Sequence, residues 1–188
     1  MDIEGLIGLF IGIGLSATCG FRVFVPLLGM SIASFTGHLT LSQDFLWIGS
    51  LPALITFSTA TVLEIVGYYI SWVDNLLDTI ATPAAVVAGT ITTASMVGEV
   101  SPFLRWTLAL IAGGGIAGLV QGSSVLVRGK SSLATAGIAN PAVSTVELAA
   151  SVAGTIISIV LPVVAIILVL LIILLIIRRV YKKRKKPS

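Results

Sequence analysis

The chain has 188 residues, 56% of them hydrophobic and 10% charged, with a mean hydropathy of +1.11. A soluble domain carries about 25% charged residues, so composition excludes a water-soluble globular protein and predicts an all-α, polytopic membrane protein. The net charge of +3 is unevenly spread: Arg178, Arg179, Lys182, Lys183, Arg184, Lys185 and Lys186 form a basic tail on an otherwise acidic body.

Ile3 to about Phe35 is too long for one straight crossing, since about 20 residues span the bilayer core. It reads as one long helix broken near Cys19-Gly20, or as a pair of short arms. Arg22 sits inside this apolar run, and a guanidinium in hydrocarbon is costly unless protein or water solvates it. Gly20 ahead of it and Pro26 after it loosen the helix. A broken membrane helix carrying a charge is a binding-site candidate. A loop with His38 follows, then Trp47 as an interfacial anchor and a second crossing, Ile48 to Ile70. Tyr68, Tyr69 and Trp72 close that crossing as an aromatic belt.

Residues 71–82 read as a polar interruption containing Asp74 and Asp78. Four apart, these two would share a helix face, where like charges repel, so a cation is expected beside them. Arg22, a bound cation or water would serve; Asn75 adds too few oxygens for calcium. Thr82-Pro83 reads as a helix start opening a short apolar helix to Val97. A turn at Gly98-Glu99 to Pro102 leads to a crossing from Phe103 to Val127. Within it Gly114, Gly118 and Gly122 form a close-packing stripe; Gly12 and Gly20 are further packing candidates.

Arg128 to Asn140 reads as a Gly/Ser/Ala-rich loop on the side of the basic tail. Asn140-Pro141 opens a last long segment, to Ile177, in which Pro162 marks a kink or reversal. The count is five to seven crossings in one domain, 1–177, with halves 1–100 and 101–177 and a tail, 178–188. The positive-inside rule places the tail in the cytoplasm, or in the stroma for a plastid or thylakoid membrane. Leu63-Glu64-Ile65 echoes Val146-Glu147-Leu148, and Ala88-Gly-Thr-Ile91 recurs as Ala153-Gly-Thr-Ile156. Such echoes fit an inverted pseudo-repeat with a polar site near mid-membrane between the halves.

Glu64 and Glu147 are intramembrane carboxylates flanked by small residues. They either mark a solute pathway or pair locally to lock helices together. With Arg22, Asp74, Asp78, Thr82 and Asn140 they make the substrate-binding candidates. In that reading Arg22 and the two helix starts hold an anion, the glutamates carry protons or cations, and the aspartates gate or attract. The acidic start Met1-Asp-Ile-Glu is unlike a signal peptide. A single cysteine, Cys19, permits no internal disulfide. No hydrolase or metal motif is present, so neither an enzyme nor a metal or cofactor site is expected.

The stretch Gly14-Leu-Ser-Ala-Thr-Cys-Gly-Phe-Arg-Val-Phe-Val-Pro26 resembles the DUF4126 family of small multi-pass membrane proteins of bacteria and plants. The likeness continues through Leu63-Glu64, Val73 to Asp78, Thr82-Pro83, Gly113-Gly-Gly and Asn140-Pro141 to Glu147. It departs at Ser71, Gln121 and Leu133–Gly137. The resemblance implies membership of a family without an assigned activity. Two functions are therefore expected from the residues alone. One is a small transporter or flippase for an anionic solute or lipid headgroup. The other is a structural or assembly protein, homo-oligomer included; a channel is a third reading, and nucleic acid is not an expected partner of the tail.

Overall fold

In the computed structural model the backbone is described for residues 3–98, 100–135 and 138–184, and side chains for these residues except 71, 72, 75 and 179–184. The expectations for Glu99, for residues 136–137, and for the side chains of Ser71, Trp72, Asn75 and 179–186 lie outside the described residues. Eight α-helices make up the described chain, with no strand among the described residues: α1 (Ile3–Cys19), α2 (Phe24–Phe35), α3 (Leu51–Gly67), α4 (Ser71–Met96), α5 (Pro102–Leu108), α6 (Gly115–Thr135), α7 (Asn140–Val160) and α8 (Pro162–Arg184). A 3-10 turn, Gln43–Gly49, precedes α3, and a π-helical segment, Ala109–Gly114, joins α5 to α6.

On α7 the outward face is apolar and the inward face polar. On α7 the buried residues are Ser144, Glu147, Ser151, Thr155 and Ser158, while Val146, Val152, Ile156 and Val160 are exposed. That inversion suits a hydrocarbon solvent, which gives apolar side chains no reason to hide and polar ones every reason to pair. Among the described residues three helical stretches are long and apolar enough to cross a membrane: Leu76–Met96, Pro102–Thr135 and Asn140–Val160. The pair Gln43–Gly49 and Leu51–Gly67, bent by 62°, makes a fourth if it counts as one span. α1, α2 and Pro162–Arg178 are shorter apolar helices.

α1 is the central helix, packed against α4, α6, α7 and α8. Small residues set its approach to α4: a Cβ on Gly12 would fall 2.9 Å from the Thr93 Cα. At the same interface Ser16 Oγ meets the Gly89 carbonyl at 2.6 Å and the hydroxyls of Thr92 and Thr93 at 2.9 and 2.8 Å. Since Gly8 lies on Met96 and Ser16 on Gly89, α1 and α4 run antiparallel. α7 and α8 form a hairpin. Ser158 and Ala165 both touch Gly14, Leu161 between them is non-helical, and α8 then returns past Ala17 to Phe21.

Two sequence expectations are corrected here. Residues 71–82 are not an interruption, because α4 runs unbroken from Ser71 to Met96 with Pro83 inside it. Thr82-Pro83 is therefore no helix start, and Thr82 lies exposed on the outer face. A proline costs the helix one internal hydrogen bond, which a packed membrane helix tolerates. Arg128 to Asn140 is likewise not a loop, since α6 continues to Thr135. In both cases a polar stretch stays helical because its charged side chains find partners inside the bundle.

Candidate functional site: a buried charge cluster

The chain leaves helical geometry at Gly20–Val23, between α1 and α2. Gly20 allows this turn to lie against α6: a Cβ there would meet the Val120 Cβ at 2.5 Å and the Ala117 carbonyl oxygen at 2.7 Å. The break frees the first N–H groups of α2, and Glu64 from α3 takes them. Its Oε1 accepts from the Val23 N–H at 2.7 Å and its Oε2 from the Phe24 N–H at 3.0 Å. A carboxylate at a helix N-terminus is favoured by both hydrogen bonding and the helix dipole.

Arg22, projecting from the break, is 2% exposed. Its Nη2 donates to the Ser144 carbonyl at 3.0 Å and lies 3.8 Å from Glu147 Oε2. Its guanidinium carbon stands 3.7 Å from the centre of the Tyr68 ring. A second arginine, Arg128 of α6, lies against the same ring at 4.2 Å. Tyr68 therefore serves two buried cations through its ring quadrupole, and is not the member of an interfacial belt that its spacing predicts.

Arg128 is the hub. Nε donates to Glu147 Oε1 at 3.1 Å, Nη2 pairs with Glu147 Oε2, and Nη1 pairs with Asp74 and lies 3.6 Å from Asp78 Oδ1. The Ser124 hydroxyl, one turn earlier on α6, donates to Glu147 Oε1. Asn140 closes the network by donating to Asp74 Oδ2 at 3.1 Å and to Ser132 Oγ at 2.9 Å. Its side chain thus does not cap α7; Ala139 occupies the cap position. The cation expected beside Asp74 and Asp78 is Arg128. Its planar fork serves two carboxylates at once, where a lysine would offer one point charge. Among the described residues no group of three or more His, Cys, Asp or Glu is arranged to hold a metal ion.

Of the predicted site residues, Arg22, Glu64, Glu147, Asp74, Asp78 and Asn140 converge, and Thr82 does not. Arg128, Tyr68 and Ser124 were missed. A signal existed: Ala117, Gln121, Ser124 and Arg128 follow one another at helical spacing, and all four are buried. Reading the stripe past Val127 would have carried it to the arginine. The glycine candidates divide. Gly12, Gly20 and Gly114 leave no room for a Cβ, a Cβ on Gly118 would stand 3.1 Å from Val86 Cγ2, and one on Gly122 would meet nothing within 4 Å. The packing stripe therefore ends before Gly122, and Gly113, against Gly89 and Thr93, belongs to it.

The cluster is not at the centre of the bundle. Glu64, Asp78, Arg128 and Glu147 all lie within about two turns of the ends of their helices, at the end where α8 also finishes. The end of α3 and the start of α4, and the end of α6 and the start of α7, bring these acids and bases together there. Beside the cluster a crevice of about 470 Å³ opens between α6, α7 and α8. Its wall is almost wholly apolar and includes Phe21, Val120, Val143, Val146, Ile172 and Ile176; Ser124 and Glu147 line it too, but Ser124 donates to Glu147 and Glu147 pairs with Arg128.

The family described as Domain of unknown function (DUF4126) matches residues 9–182. No curated protein matches the chain, and no solved structure does.

Proposed function

We propose a carrier function for a chain that belongs to the DUF4126 family, whose description assigns no activity: it brings a small anionic or amphipathic solute to the buried cluster and moves it together with protons. The observation that carries this reading is Arg22. Its Nε and Nη1 are buried and find no hydrogen-bond partner among the described residues, and the nearby Ser144 hydroxyl has none either. Leaving buried charged donors unmade costs more than the roughly 1–3 kcal/mol of a neutral group. A carboxylate or phosphate oxygen pair fits such a fork bidentately.

Charge balance supplies the coupling. Glu64, Glu147, Asp74 and Asp78 outnumber Arg22 and Arg128, so an anion entering alone would deepen a negative excess in a low-dielectric interior. Protons on the carboxylates would offset it, and Glu147, already 3.8 Å from Arg22, is the nearest acceptor. Asp78 is the half-buried acid of the four. In this reading α1, α2 and α8 are embedded with the longer spans, and the basic tail puts the cluster toward the cytoplasmic leaflet. α3 ends at the cluster and α7 begins there. That arrangement supports halves of opposite direction, each supplying one glutamate.

The test uses the full chain in liposomes, with radiolabelled inorganic phosphate and a fluorescent phosphatidic acid as probes. Movement of one probe should exceed that in protein-free vesicles and rise as external pH falls. Arg22→Gln should abolish it while Cys19 stays protected from thiol reagents. Transport by Arg22→Gln at the unmodified protein's rate would overturn the assignment. A scaffold is the second reading. It is favoured by Glu64 and Arg128, whose polar atoms are fully engaged within the chain.

A further inference from the structure

Arg22 Nε and Nη1, Asp78 Oδ1 and the Ser144 hydroxyl are buried and have no hydrogen-bond partner among the described residues. Each has a place beside Glu147 or beside Arg128, with which Glu147 pairs. Glu147 Oε2 is bound to Arg128 Nη2 yet stands 3.8 Å from Arg22 Nη2. Asp78 Oδ1 stands 3.6 Å from Arg128 Nη1. Ser144 precedes Glu147 by one turn on the buried face of α7. A second position of the Glu147 side chain uses all of them. A movement of about 1 Å brings its carboxylate to hydrogen-bonding distance of Arg22 Nη2. From there it also reaches one of the idle donors, because guanidinium donors are arranged as forks. Ser144 then replaces Ser124, whose hydroxyl holds Glu147 on the Arg128 side. Arg128 keeps Asp74 and closes on Asp78. Each position makes bonds that the other forgoes, and buried polar groups left unmade are costly. The two positions therefore lie close in free energy.

We propose that Glu147 is a two-position switch shared by Arg22 and Arg128, and that its position sets whether Arg22 is open to an anion. Both guanidinium groups lie on the Tyr68 ring, at 3.7 and 4.2 Å, so they stay side by side while the carboxylate moves. On Arg128, as in the structure, Glu147 leaves Arg22 with idle donors. On Arg22 it takes the place of an anionic ligand, as a carboxylate tethered to the chain and hence present at high effective concentration. An arriving anion binds one position only, and shifts Glu147 toward Arg128. This gating deepens the carrier reading and rests on it; the exchange of Glu147 between two arginines needs no ligand and does not. Ser124 is the lever. It bonds Glu147 in the Arg128 position and carries no charge, so replacing it biases the switch without altering the field at Arg22.

The first arm of the experiment uses the full chain in detergent and no ligand. Labelling of buried Cys19 by a fluorogenic maleimide on heating gives melting temperatures for Arg22→Gln, Glu147→Gln and the double variant. The non-additive part of their shifts is the coupling between Arg22 and Glu147. Repeated in Ser124→Ala, the coupling should about double, because Glu147 then favours Arg22. A coupling unchanged by Ser124→Ala would overturn the switch. Where the glutamine variants do not fold, Arg22→Lys and Glu147→Asp are read in the same way. The second arm measures binding of radiolabelled inorganic phosphate. Ser124→Ala should weaken it about threefold by shifting the population, and should have no effect in a Glu147→Gln background. Phosphate binding that requires Arg22 yet ignores Ser124→Ala would overturn the gating role. If the coupling doubles but no phosphate binding depends on Arg22, the switch stands and the carrier reading falls.

Discussion

Removing the charge of Arg128 tests the cluster most directly. Arg128→Gln strips the partner from Glu147 and Asp74 and the nearest cation from Asp78, all within a buried site. Breaking a buried ion pair by deleting one member costs about 3–5 kcal/mol, because the remaining charge is stranded. At roughly 2–4 °C per kcal/mol for a chain of this size, the melting temperature should fall by about 6–20 °C. The assay is built into the sequence: Cys19 is the single cysteine and is fully buried. A fluorogenic maleimide therefore reports unfolding in detergent on heating. Replacing two of the stranded acids as well, in Arg128→Gln/Glu147→Gln/Asp74→Asn, should recover part of the loss, since Asp74 and Glu147 then carry no charge while Arg22 and Asp78 lose their ion-pair partners. Arg128→Lys should fall between, because an ammonium cannot reproduce the fork that reaches both carboxylates. An Arg128→Gln protein as stable as the unmodified one would refute the reasoning. So would a triple variant no better than the single one.

Four further outcomes follow from the packing. Glu64→Ala leaves the Val23 and Phe24 N–H groups without their acceptor, at a cost of about 2–5 kcal/mol, read by earlier labelling of Cys19. Gly122→Ala, in open space, should be neutral or stabilise by up to about 1 kcal/mol. Gly113→Ala, forced against Gly89 and Thr93, should destabilise in the same melting assay. Asp44→Ala breaks the pair with Arg105, but Asp44 is 71% exposed, so urea or thermal unfolding should shift by less than about 1 kcal/mol.

Composition alone determined that this chain is a bundle of apolar helices. Cost decided most of the site: a charge in hydrocarbon must be solvated by something, so Arg22, Glu64 and Glu147 marked themselves by residue type. Glycine and proline marked the break before Arg22 and the reversal at Pro162. The ends of α4 and α6 were not legible, because the local signals there were polar and pointed to loops. Asp74, Asp78 and Arg128 are poor membrane residues taken singly. Only when α4 and α6 pack antiparallel, with α7 beside them, do the three carboxylates gain a shared guanidinium partner, and both helices stay intact. The same docking turned Tyr68 from a surface ring into the platform between two arginines. A residue's own chemistry fixes what it costs to bury, but the partner that offsets this cost comes from a distant part of the chain, and folding alone brings the two together.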